Sequence, residues 1–382
     1  MQFSADFQTL IERFSPHADS PIALAVSGGS DSLALLLLAH DWATRARRRL
    51  FVLTVDHKLR PEAKQEANTV AALSAELGQP HSTLEWETPR ASQAAARRAR
   101  YELLAQAARA RDAGCLLTGH TFDDVVETAM IRRRRGVRDA SVAGPVMAAP
   151  VPAWPAGRSV ALLRPLIQCS RSELRAYLKM RGRGWVDDPS NADPAYERVR
   201  IRAFLARHPR FSELAASFVR TQQEARSVQQ GALAENLSKV QVEPSGLINT
   251  VAATPSPNLL KLLIRCASGS ADDPRDRAVR QLLETLISPG QRQTLGGAWI
   301  QRTKTGFLIG RDPASGIRSE QGGLFDGRYE RGTVEDQTTA ANLPFLVRQS
   351  APPDPYWREI ISERLAHLIR CYQTPLLRPV QR

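Results

Sequence analysis

The sequence is poor in cysteine, and the four it has, Cys115, Cys169, Cys266 and Cys371, lie far apart. No Cys-x-x-Cys pair occurs, so neither a zinc ribbon nor an iron–sulfur site is indicated, and no disulfide framework is visible. A reducing cytoplasm is the expected compartment. Long apolar runs are missing as well. The strongest, such as 33–39, are far too short to cross a bilayer. Residues 1–14 carry Asp6 and Glu12 and lack a basic start followed by an apolar core, so no signal peptide is expected. No internal repeat is present. Acidic residues are outnumbered, 39 against 52 Lys and Arg, for a formal net charge of +13 and a pI of about 10.2. So basic a chain is expected to meet a polyanion, nucleic acid first. Its 382 residues, 42% hydrophobic and 24% charged, suit a globular protein of two or three domains.

What is present is organised around 22–38. An apolar run ending at Val26 reads as a buried parallel strand, and Leu33 onward as a buried helix. Between them stand Ser27, Gly28, Gly29, Ser30, Asp31 and Ser32. At such a strand-to-helix turn, backbone N–H groups and the helix dipole favour an anion. The glycines let the backbone approach a ligand, and the serines can donate to phosphate oxygens. Asp31 would repel a phosphate, and fits best as the holder of a bridging metal ion. The loop lacks the Lys of the Gly-x-x-x-x-Gly-Lys-[Ser/Thr] motif and is not Gly-x-Gly-x-x-Gly. Ser-Gly-Gly-x-Asp-Ser resembles the pyrophosphate loop of the ATP-pyrophosphatase superfamily, enzymes that cut ATP between the α and β phosphates.

Around this loop, strands and helices alternate. A short amphipathic helix is predicted over 4–15, strands over 50–55, 81–86 and 115–118, and helices over 61–77, 92–111 and 123–134. Residues 135–159 read as loop, with a short strand over 159–163. Ser170 and Glu173 form a capping box for a helix through Lys179. A helix over 196–205 and a long amphipathic one over 211–237 follow. Residues 244–257 break the pattern before helices near 259–266 and 277–287. A hairpin is predicted from strands 294–301 and 307–310. The fold class is therefore α/β: a doubly wound parallel sheet, then a helical domain, then a small C-terminal mixed α/β region. The expected domains are 1–206, 207–288 and 289–382. In such sheets ligands bind beyond the carboxyl ends of the strands where strand order reverses. The polar clusters fall at the ends of the strands at 22–26, 50–55 and 115–118.

Three further clusters carry chemistry. Gly119-His120-Thr121-Phe122-Asp123-Asp124-Val125-Val126-Glu127-Thr128 puts Asp123, Asp124 and Glu127 within one helical turn. Such acids can simply cap a helix; beside a phosphate loop they can also hold Mg²⁺ or an ammonium group. Ala96-Arg97-Arg98-Ala99-Arg100-Tyr101 is either a solvated basic face or a source of an arginine for phosphates or RNA. Asp187-Asp188-Pro189-Ser190-Asn191, a turn signal, precedes Arg198, Arg200 and Arg202.

In this order, the pieces resemble the tRNA(Ile)-lysidine synthetase family. The matching segments are Ser27–Ser32, Asp56-His57-Lys58-Leu59-Arg60, Ala96–Tyr101, Gly119–Thr128, Leu162–Leu166 and Asp188–Arg202. The resemblance is strong over about 20–205 and loose beyond. The chain departs from the pattern at Gly136-Val137-Arg138, where the family has Gly-Ser-Gly, and at Val199, where it has Asn between two arginines. The resemblance implies an adenine nucleotide α-hydrolase-like fold and an ATP-dependent ligase. Its RNA substrate is tRNA(Ile) with a CAU anticodon, and its second substrate is free L-lysine. The wobble cytidine is adenylated on its C2 oxygen, and the lysine amine then displaces AMP. On that reading Ser27, Gly28, Gly29, Ser30, Asp31, Ser32, Asp56, His57 and His120 bind ATP, and Asp31 and Asp123 hold Mg²⁺. Arg100, with Arg198 or Arg202, meets charge on the α-phosphate. Asp124 and Glu127 receive the lysine ammonium, whose ordinary pKa is about 10.4. Basic residues of 132–138 and of the C-terminal half would carry tRNA. A homodimer is compatible with the sequence.

Competing readings are a tRNA 2-thiolation enzyme with the same loop, an amidating ligase of the NAD or GMP synthetase kind, and a nucleotide sensor of the universal-stress type. The first usually needs a Cys-x-x-Cys, the second a glutaminase part, and the third leaves Asp-Asp-x-x-Glu-Thr unexplained.

Overall fold

The structure is a computed structural model describing residues 1–58, 62–87, 92–186, 193–243, 245–250, 255–315, 324–325, 328–331, 357–374 and 380–381. The expected features at 59–60 and 187–191, and most of the C-terminal tail, lie outside the described residues. The chain divides into two compact units, one of 1–151, 160–230 and 371–382, the other of 152–159 and 231–370.

The first unit opens with the short strand β1 (Gln2–Phe3) and is built on a sheet of strands β2 (Ile22–Ala25), β3 (Leu50–Asp56), β4 (His81–Glu85), β5 (Cys115–Thr118), β6 (Ala148–Pro150) and β7 (Ala161–Leu163). The strand order is β4-β3-β2-β5-β7-β6. All neighbours pair in parallel except β6, which runs antiparallel to β7 with Ala149 opposite Leu162. The expected doubly wound sheet is therefore present, with one antiparallel edge strand inside a stretch the sequence reads as loop. Three residues of small and imino type carry too little alternation to announce a strand. Order reverses between β2 and β5, so the loops after these two strands open into one crevice.

Helix α2 (Ser30–Ala46) shows why the sequence folds this way. Leu33 to Ala39 is apolar on every side, and all seven residues are buried. An all-round apolar helix has to sit between layers. It lies in the same core as β2 and β5, with Phe7, Leu10 and Ile11 of α1 (Ala5–Phe14). Each leucine so buried contributes about 1.5–3 kcal/mol. Helix α3 (Glu62–Glu76), α4 (Gln93–Arg109), α5 (Phe122–Arg134), α6 (Arg171–Met180) and α7 (Glu197–Arg207) follow. α6 packs on α2 and α7 on α5. Capping boxes close the starts of α5, through Thr121 and Asp124, and of α6, through Ser170 and Glu173. The long α8 (Pro209–Ser238) spans the boundary between the units in sequence.

The second unit contains an antiparallel sheet of order β10-β11-β12-β9-β8, with β8 (Gln241–Val242), β9 (Ile248–Thr250), β10 (Arg292–Leu295), β11 (Ala298–Arg302) and β12 (Phe307–Arg311). Helices α9 (Pro257–Ser268) and α10 (Asp276–Thr285) accompany it. The strand expected over 294–301 is two strands. Gly296 and Gly297 take φ of +61° and +82°, which makes a two-residue hairpin turn between β10 and β11. The stretch at 244–257 also holds a strand, β9, which inserts beside β12. No described helix is long and apolar enough to cross a membrane.

Candidate active site

Both loops at the switch point are shaped by their own residues. After β2, the Ser27 N–H donates to Ser32 Oγ at 3.1 Å, and Ser32 Oγ donates to the Gly29 carbonyl at 2.9 Å. These bonds fold the loop back over the first turn of α2. The N-cap of α2 is Gly29, which offers no side chain to the first-turn N–H groups. A helix start without a side-chain cap can receive an anion. Gly28 takes φ of +87°, which any other residue would adopt only with strain. After β5, Gly119 lies so close that a Cβ there would stand 2.9 Å from the Asp31 carbonyl oxygen. The two loops thus touch, and Gly119 is required for the contact.

The carboxylates predicted from the sequence come together through a residue the sequence reading did not single out. Arg171, first residue of α6, pairs its Nε with Asp31 Oδ2 at 3.1 Å, Nη2 with Asp124 Oδ1 at 3.2 Å and Nη1 with Glu127 Oε1 at 3.4 Å. Its backbone N–H donates to Asp123 Oδ2 at 2.8 Å. One arginine therefore joins the loop after β2 to all three acids of α5. From α7, Arg202 Nε reaches Glu127 Oε1 at 2.8 Å and Arg198 Nε reaches Oε2 at 3.5 Å. Glu127, only 2% exposed, holds three guanidinium groups. Asp124 also caps its own helix, its Oδ2 accepting from the Thr121 N–H and hydroxyl. The capping reading of this residue is realised, while its other oxygen pairs with Arg171.

Charge states follow from these contacts. Burial raises the Asp31 carboxyl above its ordinary range, and Arg171 opposes that. Burial works against ionisation of Asp124 too, but Arg171, the Thr121 N–H and His120 hold its carboxyl below the ordinary range. His120 is pushed down to about 3 by burial and by Arg164, and its Nδ1 lies 2.9 Å from Thr118 Oγ1. His57 is lowered by burial and by Arg100, so both imidazoles are neutral near pH 7. Arg100 acts electrostatically on both histidines. Asp56 accepts from the Lys58 N–H at 2.8 Å. Among the described residues the buried His57 Nδ1 has no hydrogen-bond partner.

A second missed residue is Arg175, one turn along α6, whose Nε donates to Ser30 Oγ at 3.4 Å while its guanidinium lies 5.3 Å from the Trp185 ring centre. A signal for Arg171 was available. A cation in the first turn of a helix opposes the dipole, and a broken local rule of that kind marks a site. Among the described residues no group of three or more His, Cys, Asp or Glu side chains is arranged to hold a metal ion. Mg²⁺ commonly takes one or two carboxylates and completes its shell with phosphate and water, which the Asp31 carboxylate beside the anion loop fits.

A carboxylate set wired to an anion-binding turn at the reversal of a parallel sheet is the layout of a nucleotide-cleaving α/β enzyme. The PP-loop domain, a family of ATP-binding domains, matches residues 2–208. Three curated relatives agree further, each a tRNA(Ile)-lysidine synthase. That of Hyphomonas neptunium is 40% identical over 298 residues, covering 76% of this chain and 81% of its own. That of Rhizobium meliloti is 37% identical over 349 residues, 84% of this chain and 74% of its own. That of Caulobacter vibrioides is 34% identical over 357 residues, 90% of this chain and 81% of its own. The chain belongs to the tRNA(Ile)-lysidine synthase family.

Proposed function

We propose that the chain joins free L-lysine to C2 of the wobble cytidine of tRNA(Ile) bearing a CAU anticodon. The C2 oxygen attacks the α-phosphate of ATP and pyrophosphate leaves. The lysine side-chain amine then attacks C2, the C2–O bond breaks, AMP departs with the oxygen and the amine loses a proton. The observation that carries this reading is the joining of Asp31, in the anion loop, to Asp124 and Glu127 through one guanidinium. It supports a site whose nucleotide end and cation-binding end share one crevice.

In this reading the turn Ser27–Ser32 cradles the phosphates, and His57, Asp56 and His120 border the nucleotide. Asp31, with Asp123 as second candidate, would hold Mg²⁺, which supplies charge neutralisation at the phosphates when bound. Arg100, Arg198 and Arg202 face the charge that develops on the α-phosphate. Asp124 and Glu127 attract the ammonium group and hold the amine against C2.

RNA as the first substrate is supported by the net charge and by the surface beyond α7. There Phe204 and Phe211 are each 44% exposed. Phe204 stacks on His208 at 4.3 Å and meets Phe211 edge-on at 5.2 Å, with Arg207 and Arg210 exposed alongside. Aromatic faces among cations suit unpaired bases. We assign further tRNA contacts to the basic segment 132–138, to 207–288 and to 289–382. All four cysteines are buried, which leaves a sulfur-transfer reading without an accessible thiol.

The test supplies ATP, labelled lysine and total tRNA. Alkali-stable label in tRNA, with one AMP and one pyrophosphate per lysine, is the expected result. Pyrophosphate release without lysine incorporation would exclude it.

A further inference from the structure

Arg171 has no assignment from the sequence motifs, yet it is the residue on which the site converges. Its side chain is 17% exposed. Both oxygens of Asp31 are engaged, Oδ2 by Arg171 and Oδ1 by Ser30 Oγ at 3.1 Å. Both oxygens of Asp124 are engaged, Oδ1 by Arg171 and Oδ2 by Thr121. A cation that binds these carboxylates therefore competes with the guanidinium for the same oxygens. Arg198 and Arg202 are not equivalent to it, since their ion pairs run to Glu127.

We propose that Arg171 is an internal counter-cation that keeps Asp31, Asp124 and Glu127 assembled before the nucleotide binds and is exchanged for the metal when the nucleotide enters. This rests on the Mg²⁺ and ATP reading above and adds a positioning residue to it. The physical reason is charge balance. A free divalent cation arriving alone has to compete with a fixed positive charge already bonded to three carboxylates. A metal–nucleotide complex brings its own anion. The guanidinium displaced from Asp31 then finds phosphate beside the start of α2, on the helix face where Arg175 already reaches Ser30. Bidentate phosphate recognition suits a guanidinium. Arg171 thereby makes binding of metal and nucleotide cooperative, as a coupling between two ligands, and guards the carboxylates against the wrong cation.

The test measures Mn²⁺ binding by electron paramagnetic resonance, with and without a non-hydrolysable ATP analogue, in the wild type, Arg171→Met and Arg171→Lys. Melting curves establish that each variant is folded. Arg171→Met should bind free Mn²⁺ about tenfold or more tightly than wild type, while its affinity for the analogue falls, so that the cooperativity shrinks. Arg171→Lys should fall between. Unchanged or weaker Mn²⁺ affinity in both folded variants overturns the proposal. If Arg171→Met does not fold, Arg171→Lys alone decides, by the same gain. If wild type binds no Mn²⁺ even with the analogue, or Asp31→Asn binds it equally well, the metal reading itself fails and the proposal falls with it.

Discussion

Arg171 Nε and Asp31 Oδ2 lie 3.1 Å apart although 140 positions separate them in the chain. The bond crosses from the first turn of α6 to the first turn of α2, two helices that pack together. Both residues occupy helix starts, where an aspartate is favoured and an arginine is not. The aspartate offsets what the dipole costs the arginine, and the pair fixes the loop after β2 against α6.

Glu127 is the most confined acid of the site. Glu127→Gln should lower stability by about 1–3 kcal/mol, because the buried carboxylate loses its charge-assisted bonds, while Arg198 and Arg202 stay partly hydrated and Arg171 keeps Asp31 and Asp124. At a temperature where the variant is folded, the lysine KM should rise more than the rate of tRNA adenylation falls. Separate assays of pyrophosphate release and lysine incorporation check this. Equal losses in both steps would remove the ammonium role from Glu127.

Gly119→Ala places a methyl group 2.9 Å from the Asp31 carbonyl oxygen and 3.0 Å from the Ser32 nitrogen. Overpacking of this kind costs about 1–3 kcal/mol. Because the strained atoms are those of the anion loop, the ATP KM should rise at least tenfold while tRNA affinity stays within twofold (both order-of-magnitude expectations from the same cost). Equilibrium melting and ATP titration measure the two effects.

The pH dependence of stability separates Asp124 from Asp31. The folded-state pKa of Asp124 is lowered from 3.8. Its carboxylate therefore contributes stability that is present above that value and lost as pH falls through the lower folded one. The melting difference between wild type and Asp124→Asn should be constant at neutral pH and shrink below about pH 4. Asp31 is raised from 3.8, so its sign is opposite: its contribution grows as pH falls through the raised value. The melting difference between wild type and Asp31→Asn should therefore move in wild type's favour on acidification.

Phe204→Ala with Phe211→Ala should weaken tRNA binding by about tenfold, in line with base stacking of about 1–3 kcal/mol per base. The slope of log affinity against log salt should not change, since no charge is lost. Arg207→Ala with Arg210→Ala should reduce that slope by about one to two units. Filter binding over a salt series distinguishes them. A reduced slope in the phenylalanine variant would mean that its aromatics act only by positioning cations.

Much of this was legible in advance. The apolar helix 33–39 flanked by Ser27–Ser32 had one reasonable placement, because a helix apolar all round must be sandwiched and a glycine-serine turn before it leaves N–H groups free. Ser170 and Glu173 announced the start of α6 through local chemistry alone. The edge strand at 148–150 and the strand at 248–250 were not legible. Each is three residues long and is a strand only because a neighbour in space offers it hydrogen bonds. The break of 292–302 into two strands was signalled by Gly296-Gly297, whose left-handed backbone only glycine accepts without strain.

Sequence alone determined the family: the Ser-Gly-Gly-x-Asp-Ser turn, the acidic helix start and the spaced arginines, in this order, are local patterns readable from residue types. It also determined the basic charge that favours RNA. Only the tertiary structure decided which of these groups touch. Arg171 is adjacent in sequence to none of its carboxylates, and its role arises from the packing of α6 against α2 beside α5. The reason is physical. Hydrogen-bond and helix-start preferences act over a few residues, whereas the meeting of Asp31, Asp124 and Glu127 on one guanidinium depends on strand order in the sheet, which no local preference encodes.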